Sequence, residues 1–183
     1  GYQQDGNTWV WITVDEQYGR RAHPIMMADG ASFKVLSDKK YALDKNQVYF
    51  QGTPLRGADP ATFELLRSGY GKDKREVFLD TEPVVRADPG SFELLDFPYA
   101  RDREHVFCGT IPLPLQGAEV QAFRVTNTDK LMANTRSITQ KAHFIEYQPE
   151  YAWLDSLDVE VVITGPWGTG ESGGRKFKGV KEQ

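Results

Sequence analysis

Apolar and polar positions recur along this chain with a long period. Phe33, Phe63 and Phe92 hold one place, Tyr41, Tyr70 and Tyr99 a second, Val48, Val77 and Val106 a third, and Pro54, Pro83 and Pro112 a fourth. Asp44, Asp73 and Asp102 keep the same register between the tyrosine and the valine. The spacing is about 29 residues, a period that marks tandem copies of one supersecondary unit. Within a unit the pattern predicts a hairpin. Asp59-Pro60 and Asp88-Pro89 combine an acidic cap with proline at a first helical position, but the apolar stretch after them is too short for more than about one turn. Phe-Glu-Leu-Leu then runs extended. Asp44 to Asn46 supplies turn chemistry, because aspartate and asparagine bond their own backbone and tolerate left-handed geometry. A three-residue strand follows: Val48-Tyr49-Phe50, Val77-Phe78-Leu79 or Val106-Phe107-Cys108. Alternation puts the outer residues of each on one face and Tyr49, Phe78 or Phe107 on the other, with both faces at least partly covered.

The array is expected to occupy residues 1–123, with full units at 29–58, 59–87 and 88–117 and partial ones at 1–28 and 118–123. In the first partial unit Tyr2, Asp5 and Trp9-Val10-Trp11 repeat the tyrosine, the aspartate and the strand. Tyr2 to Tyr41 spans 39 residues rather than 29, so about ten extra residues lie within Ile12 to Met27. In the last, Glu119 and Phe123 stand where Asp88 and Phe92 stood, and the register then disappears. Beyond it, residues 124–164 read as a nonrepeating β segment, with strands at Ala142–Tyr147 and Leu157–Ile163 and a loop or short turn at Pro149–Ser156. Residues 165–183, rich in glycine and ending basic, read as a flexible tail. The fold class is therefore mainly β, with tandem hairpin repeats stacked edge to edge and capped by a C-terminal β segment.

Asp-Lys-Asn, then Val-Tyr-Phe, then Ala-Asp-Pro-x-Thr/Ser-Phe is a composite motif that recurs as a whole from Tyr2 to Phe123. It resembles the DKNYY family of bacterial proteins. The second and third copies read Asp73-Lys74-Arg75 and Asp102-Arg103-Glu104, so the turn keeps only its aspartate throughout. The resemblance implies a protein often exported as a lipoprotein and, in some genomes, encoded beside polymorphic or contact-delivered toxins as their immunity protein. A periplasmic location with a lipid anchor upstream of Gly1 is accordingly the expectation, and a cytoplasmic location the alternative.

Composition narrows the classes of function. Twenty-two Lys and Arg against 26 Asp and Glu give a net charge of −4, which speaks against a general nucleic-acid binder. No apolar run approaches the roughly 18 residues of a membrane span. Cys108 is the one cysteine, which excludes an intrachain disulfide, and His23, His105 and His143 do not have zinc-ligand spacing.

No complete catalytic constellation is visible. Gly170-Glu171-Ser172-Gly173-Gly174 looks like the nucleophile loop of trypsin-like proteases, without a histidine in a matching motif. Gly168 to Gly174 resembles a phosphate loop, but Gly174 stands where lysine is required. Asp44, Asp73 and Asp102 read as turn residues and Asp29, Asp59, Asp88 and Glu119 as caps, since a catalytic group is normally unique and these recur. The repeated aromatics read as a stacked core, Cys108 as a small buried filler, and His105 as exposed. The expectation is a nonenzymatic protein without cofactor or metal.

Deviations from the repeat are the better functional candidates, because the repeat does not require them. The insertion carries Tyr18, Arg20, Arg21 and His23, and the nonrepeating end carries Trp153, Trp167 and Arg175. Tyrosine, tryptophan and arginine are the usual anchors of protein interfaces. Tyr18, Arg20, Arg21, Trp167 and Arg175 are thus the expected partner-binding residues. The expected function is stoichiometric neutralisation of a bacterial toxin, with a structural or ligand-binding lipoprotein of the cell envelope as the alternative.

Overall fold

The computed structural model describes residues 1–128, 137–163 and 168–183. It is mainly β, built of short antiparallel strands in several small sheets. The chain divides into two compact units, Gly1–Lys74 and Arg75–Gln183.

The first unit opens with three strands, β1 (Tyr2–Asp5), β2 (Thr8–Asp15) and β3 (Gly19–Pro24). The first full repeat follows as a four-stranded meander of β4 (Lys34–Val35), β5 (Tyr41–Leu43), β6 (Val48–Phe50) and β7 (Thr53–Pro54). The two share one register. Tyr2 lies opposite Trp11 as Tyr41 lies opposite Phe50, and Val10 lies opposite Pro24 as Tyr49 lies opposite Pro54. The N-terminal copy is therefore a repeat whose β2–β3 hairpin has been lengthened by Ile12 to Ala22. The second repeat gives this unit β8 (Glu64–Leu65) and β9 (Tyr70–Lys72).

The second unit begins with the other half of that repeat, β10 (Val77–Leu79) and β11 (Glu82–Pro83). The third repeat is a meander of β12 (Glu93–Leu94), β13 (Tyr99–Arg101), β14 (Val106–Cys108) and β15 (Ile111–Pro112). After it come a short helix, α1 (Ala118–Ala122), and β16 (Arg124–Thr128). Next are β17 (Ser137–Thr139), α2 (Lys141–Tyr147), a 3-10 stretch (Pro149–Ser156) and β18 (Val161–Ile163). The chain closes with β19 (Gly168–Ser172), β20 (Arg175–Lys178) and β21 (Lys181–Glu182).

Strands β16, β19, β20 and β21 form one sheet in that order, and its register is that of the repeat. Arg124 pairs with Glu171 as Glu93 pairs with Arg101, and Gly170 with Phe177 as Ala100 with Phe107. The register lost from the sequence at Phe123 thus resumes at Gly168, after an insertion between the first and second strands of a fourth copy. This corrects two expectations. Of the expected flexible tail, residues 168–183 are a paired meander, whose Phe177 is 1% exposed. Of residues 124–164, Arg124–Thr128 is the first strand of this copy, β17 and β18 pair as a separate sheet, and Lys141–Tyr147 is helical where Ala142–Tyr147 was expected to be extended. A short apolar run of this length fits either state, and packing decides: Phe144 is buried against Tyr151 at 5.3 Å between ring centroids. Pro149–Ser156, expected as a loop or short turn, is a 3-10 stretch, and of Leu157–Ile163 only Val161–Ile163 is strand.

One slot explains why four copies close alike. The residue below the repeat phenylalanine is Ala42, Gly71, Ala100 or Gly170. A Cβ on Gly71 would stand 2.3 Å from Phe63 Cζ, and one on Gly170 2.2 Å from Phe123 Cζ. The far end of the ring comes this close to the next strand because that position is small. Neighbouring copies are joined by tyrosine. Tyr2, Tyr41 and Tyr99 donate their hydroxyls to Lys40 O, Gly69 O and Gly168 O, and each ring packs on the following phenylalanine, Phe33, Phe63 or Phe123, at 5.6, 5.5 and 5.1 Å. Tyr41, Tyr70, Tyr99 and the central strands β6, β10 and β14 are buried, so both faces of these strands are covered in full rather than in part.

Candidate interaction surface

The repeated carboxylates build turns. Asp44 Oδ1 accepts from the N–H groups of Asn46 (2.7 Å) and Gln47 (2.8 Å), while Oδ2 accepts from Asp29 N (2.8 Å) and the Tyr49 hydroxyl (2.9 Å). Asp102 holds Glu104, His105 and Asp88 in the same way, and Asp73 accepts from Asp59 N at 2.8 Å. Burial is the largest single influence on Asp44 and pushes its carboxyl up, but the four donors together outweigh it and hold the group below the usual carboxylate range. Asp59 and Asp88 cap their turns through Thr62 and Ser91 and carry ion pairs to Lys74 and Arg103. Cys108 is fully buried, and burial pushes its thiol up to about 12, far from a reactive thiolate. His105 is half-buried rather than exposed, because its turn folds against Asp102.

Arg175 belongs to the same pattern. It pairs with Glu119 at 3.2 Å, as Lys45 pairs with Asp29 (2.7 Å), Lys74 with Asp59 (3.3 Å) and Arg103 with Asp88 (2.9 Å). It also binds Glu182 with two hydrogen bonds of 2.8 Å and the carbonyl of Pro114 at 2.9 Å. Its donors are committed to closing the fourth copy. Trp167 lies outside the described residues.

Tyr18, Arg20 and Arg21 come together on the arm made by the outer parts of β2 and β3. The arm turns at Asp15, whose Oδ1 accepts from Gln17 N and Tyr18 N, and Gly19 takes φ +68 to complete the reversal. Arg21 lies over the Tyr18 ring at 4.1 Å, and Arg20 donates to Gln3 Oε1 at 2.7 Å. Every residue of β3 is exposed, and it is an edge strand of its sheet.

Sequence reasoning missed the apolar residues around the arm. Large hydrophobic side chains that stay exposed, among the described residues, are Val14, Tyr18, Met26, Met27, Ile138 and Tyr147. Val14 and Tyr18 are on the arm, Met26 and Met27 follow its base, and Ile138 and Tyr147 are in the insertion of the fourth copy. None fills an apolar slot of the repeat. Met27 had a legible signal. It sits two residues before the cap Asp29, where two other copies carry Gly57 and Gly117, and all three have positive φ, +65, +83 and +56. A methionine 94% exposed at a glycine-favouring position is strained and contributes nothing to the core.

Fold and register together define a tandem β-hairpin repeat protein with one lengthened hairpin and one interrupted copy. A family model matches residues 11–144, more than half of the chain, and the protein belongs to the DKNYY family. No curated protein and no solved structure matches it. Among the described residues no helix is long and apolar enough to cross a membrane, and no group of three or more His, Cys, Asp or Glu residues could hold a metal ion.

Proposed function

We propose that the protein is a noncatalytic binding module that acts by stoichiometric association, and that its partner is a toxin delivered by a neighbouring bacterial cell. On this reading it is an immunity protein, held in the periplasm by a lipid anchor. The observation that carries the reading is the arm: an exposed hairpin that the repeat does not need, presenting Tyr18, Arg20, Arg21 and Val14 on a base that buries Val10 and Ile25. Rigid aromatic and guanidinium anchors on a supported hairpin suit protein recognition, because little conformational entropy is lost when they dock. The toxin as partner is what the resemblance to the family implies.

Co-expression with the product of an adjacent toxin-like reading frame tests it. A one-to-one complex that co-purifies is expected, and failure of every adjacent product to bind would remove the toxin from the reading. A ligand-binding role in the cell envelope is the second reading, and the cavity of about 420 Å³ in the second unit favours it.

A further inference from the structure

Arg86 breaks a rule of the fold in the way Met27 does. It stands two residues before the cap Asp88, at φ +64, where Gly57 and Gly117 occupy the matching place. Glycine adopts this backbone without strain and arginine does not. The side chain so placed sets its guanidinium carbon over the indole of Trp153, 3.8 Å from the ring centroid. Trp153 comes from the insertion of the fourth copy. The indole takes one side of the guanidinium, and among the described residues Arg86 makes no hydrogen bond and no ion pair. An arginine held on an aromatic face with its donors unpaired is prepared for a planar, two-oxygen anion.

The surroundings fit an anion with an apolar body. Arg86 and Trp153 line a cavity of about 420 Å³ whose wall includes Pro112, Leu113 and Leu115, a volume in the range of small-molecule sites. Arg103 also lines it but is paired with Asp88 at 2.9 Å, so the cation left over is Arg86. Glu104 and Glu150 lie on the same lining, and their charge disfavours a multiply charged phosphate relative to a single carboxylate. His105 lines it too, and its Nδ1 is buried without a hydrogen-bond partner, 3.6 Å from Asp102 Oδ1.

We infer that this cavity binds a small amphipathic carboxylate, with the carboxylate on the guanidinium edge of Arg86 and the apolar part against Leu113, Leu115 and Trp153. The ligand is either a free organic acid or the C-terminal residue of a peptide; both present the same group. The site stands whether or not a toxin is the partner.

Titration of the whole chain, followed through the Trp153 indole N–H resonance, tests the site with N-acetyl-leucine as probe. A saturable shift with half-saturation at about 1 mM or below is expected. N-acetyl-leucinamide, isosteric but uncharged, should bind at least about tenfold more weakly. Arg86→Gly should lose the response to the acid while remaining folded, since glycine already serves the matching position in two copies, and Arg86→Lys should recover only part of it. A peptide ending in leucine that binds more tightly than N-acetyl-leucine would assign the site to chain termini, and equal affinity would assign it to free acids. No saturable shift, an equal response to the amide, or a full response in Arg86→Gly would overturn the inference. The arm takes no part in this assay, so that outcome would leave stoichiometric association through the arm standing.

Discussion

Two aspartate turns in the first unit use the same chemistry in opposite settings. Asp44 and Asp15 each accept, through one oxygen, from the backbone N–H groups two and three residues on. Asp44 is 1% exposed and spends its other oxygen on the cap Asp29 and on the buried hydroxyl of Tyr49. Asp15 is exposed, and its turn closes an arm rather than a core. A local turn rule thus shapes both hairpins, while the second oxygen decides which is locked into the fold. The locked turns organise the repeat, and the unlocked one displays Tyr18 and Arg21.

Removing each carboxylate separates the two settings most strongly. Asp44→Ala leaves a buried hydroxyl and a cap N–H without their acceptor and should cost about 3 kcal/mol, whereas Asp15→Ala should cost about 0.5 kcal/mol. Urea denaturation of both variants measures the gap, and equal losses would show that the turn alone sets the energy. Gly170→Ala extends the test to the fourth copy. The new Cβ meets Phe123 Cζ at 2.2 Å, so a loss of about 2 kcal/mol is expected from overpacking. A neutral outcome would mean that the Phe123 ring shifts to admit a methyl group, as the slots that hold Ala42 and Ala100 already do.

Acid gives a smaller effect with a defined direction. A carboxylate held below its ordinary value contributes stability that is complete above that value and is lost as pH falls through the lowered one. Asp44 is such a group. The unfolding midpoint should therefore stay level from about pH 7 to pH 5 and fall below about pH 4. Asp44→Asn should start lower and fall less steeply, and a decline as steep as in the parent would assign the acid sensitivity to other carboxylates.

The repeat was legible because its constraints sit at fixed intervals: the aspartate turn, the tyrosine and the phenylalanine each serve one contact in every copy. The fourth copy was hidden for a physical reason. Its first strand ends at Thr128 and its second begins at Gly168, so a match by spacing fails although the pairing is kept. Its slots are also filled by substitutes: Ser172 bonds Glu119 O at 2.6 Å where an aspartate serves the other copies, and Arg175 supplies the cap ion pair. That is why Arg175 read as an unassigned cation. The arm was legible as an insertion, with Tyr18, Arg20 and Arg21 as candidates, but the exposure of Val14, Met26 and Met27 depends on which faces the folded sheet covers. Helix α2 was misread because one buried residue, Phe144, determines its packing.

The smallest expected change in stability is on the arm itself. Tyr18→Ala and Arg21→Ala remove an exposed stacked pair and should shift stability by no more than about 0.5 kcal/mol. Thermal unfolding checks this. A loss comparable to that of Asp44→Ala would make the pair part of the fold.

Against that near-neutral background, binding by the arm is measured most directly by calorimetric titration of the toxin-like product of the adjacent gene into the parent protein, Tyr18→Ala and Arg21→Ala. Saturable one-to-one association is expected with the parent, and a loss of more than about 1 kcal/mol, roughly fivefold or more in affinity, in each arm variant. Unchanged affinity in both, with the melting temperature held, would contradict the assignment of the arm as the binding surface.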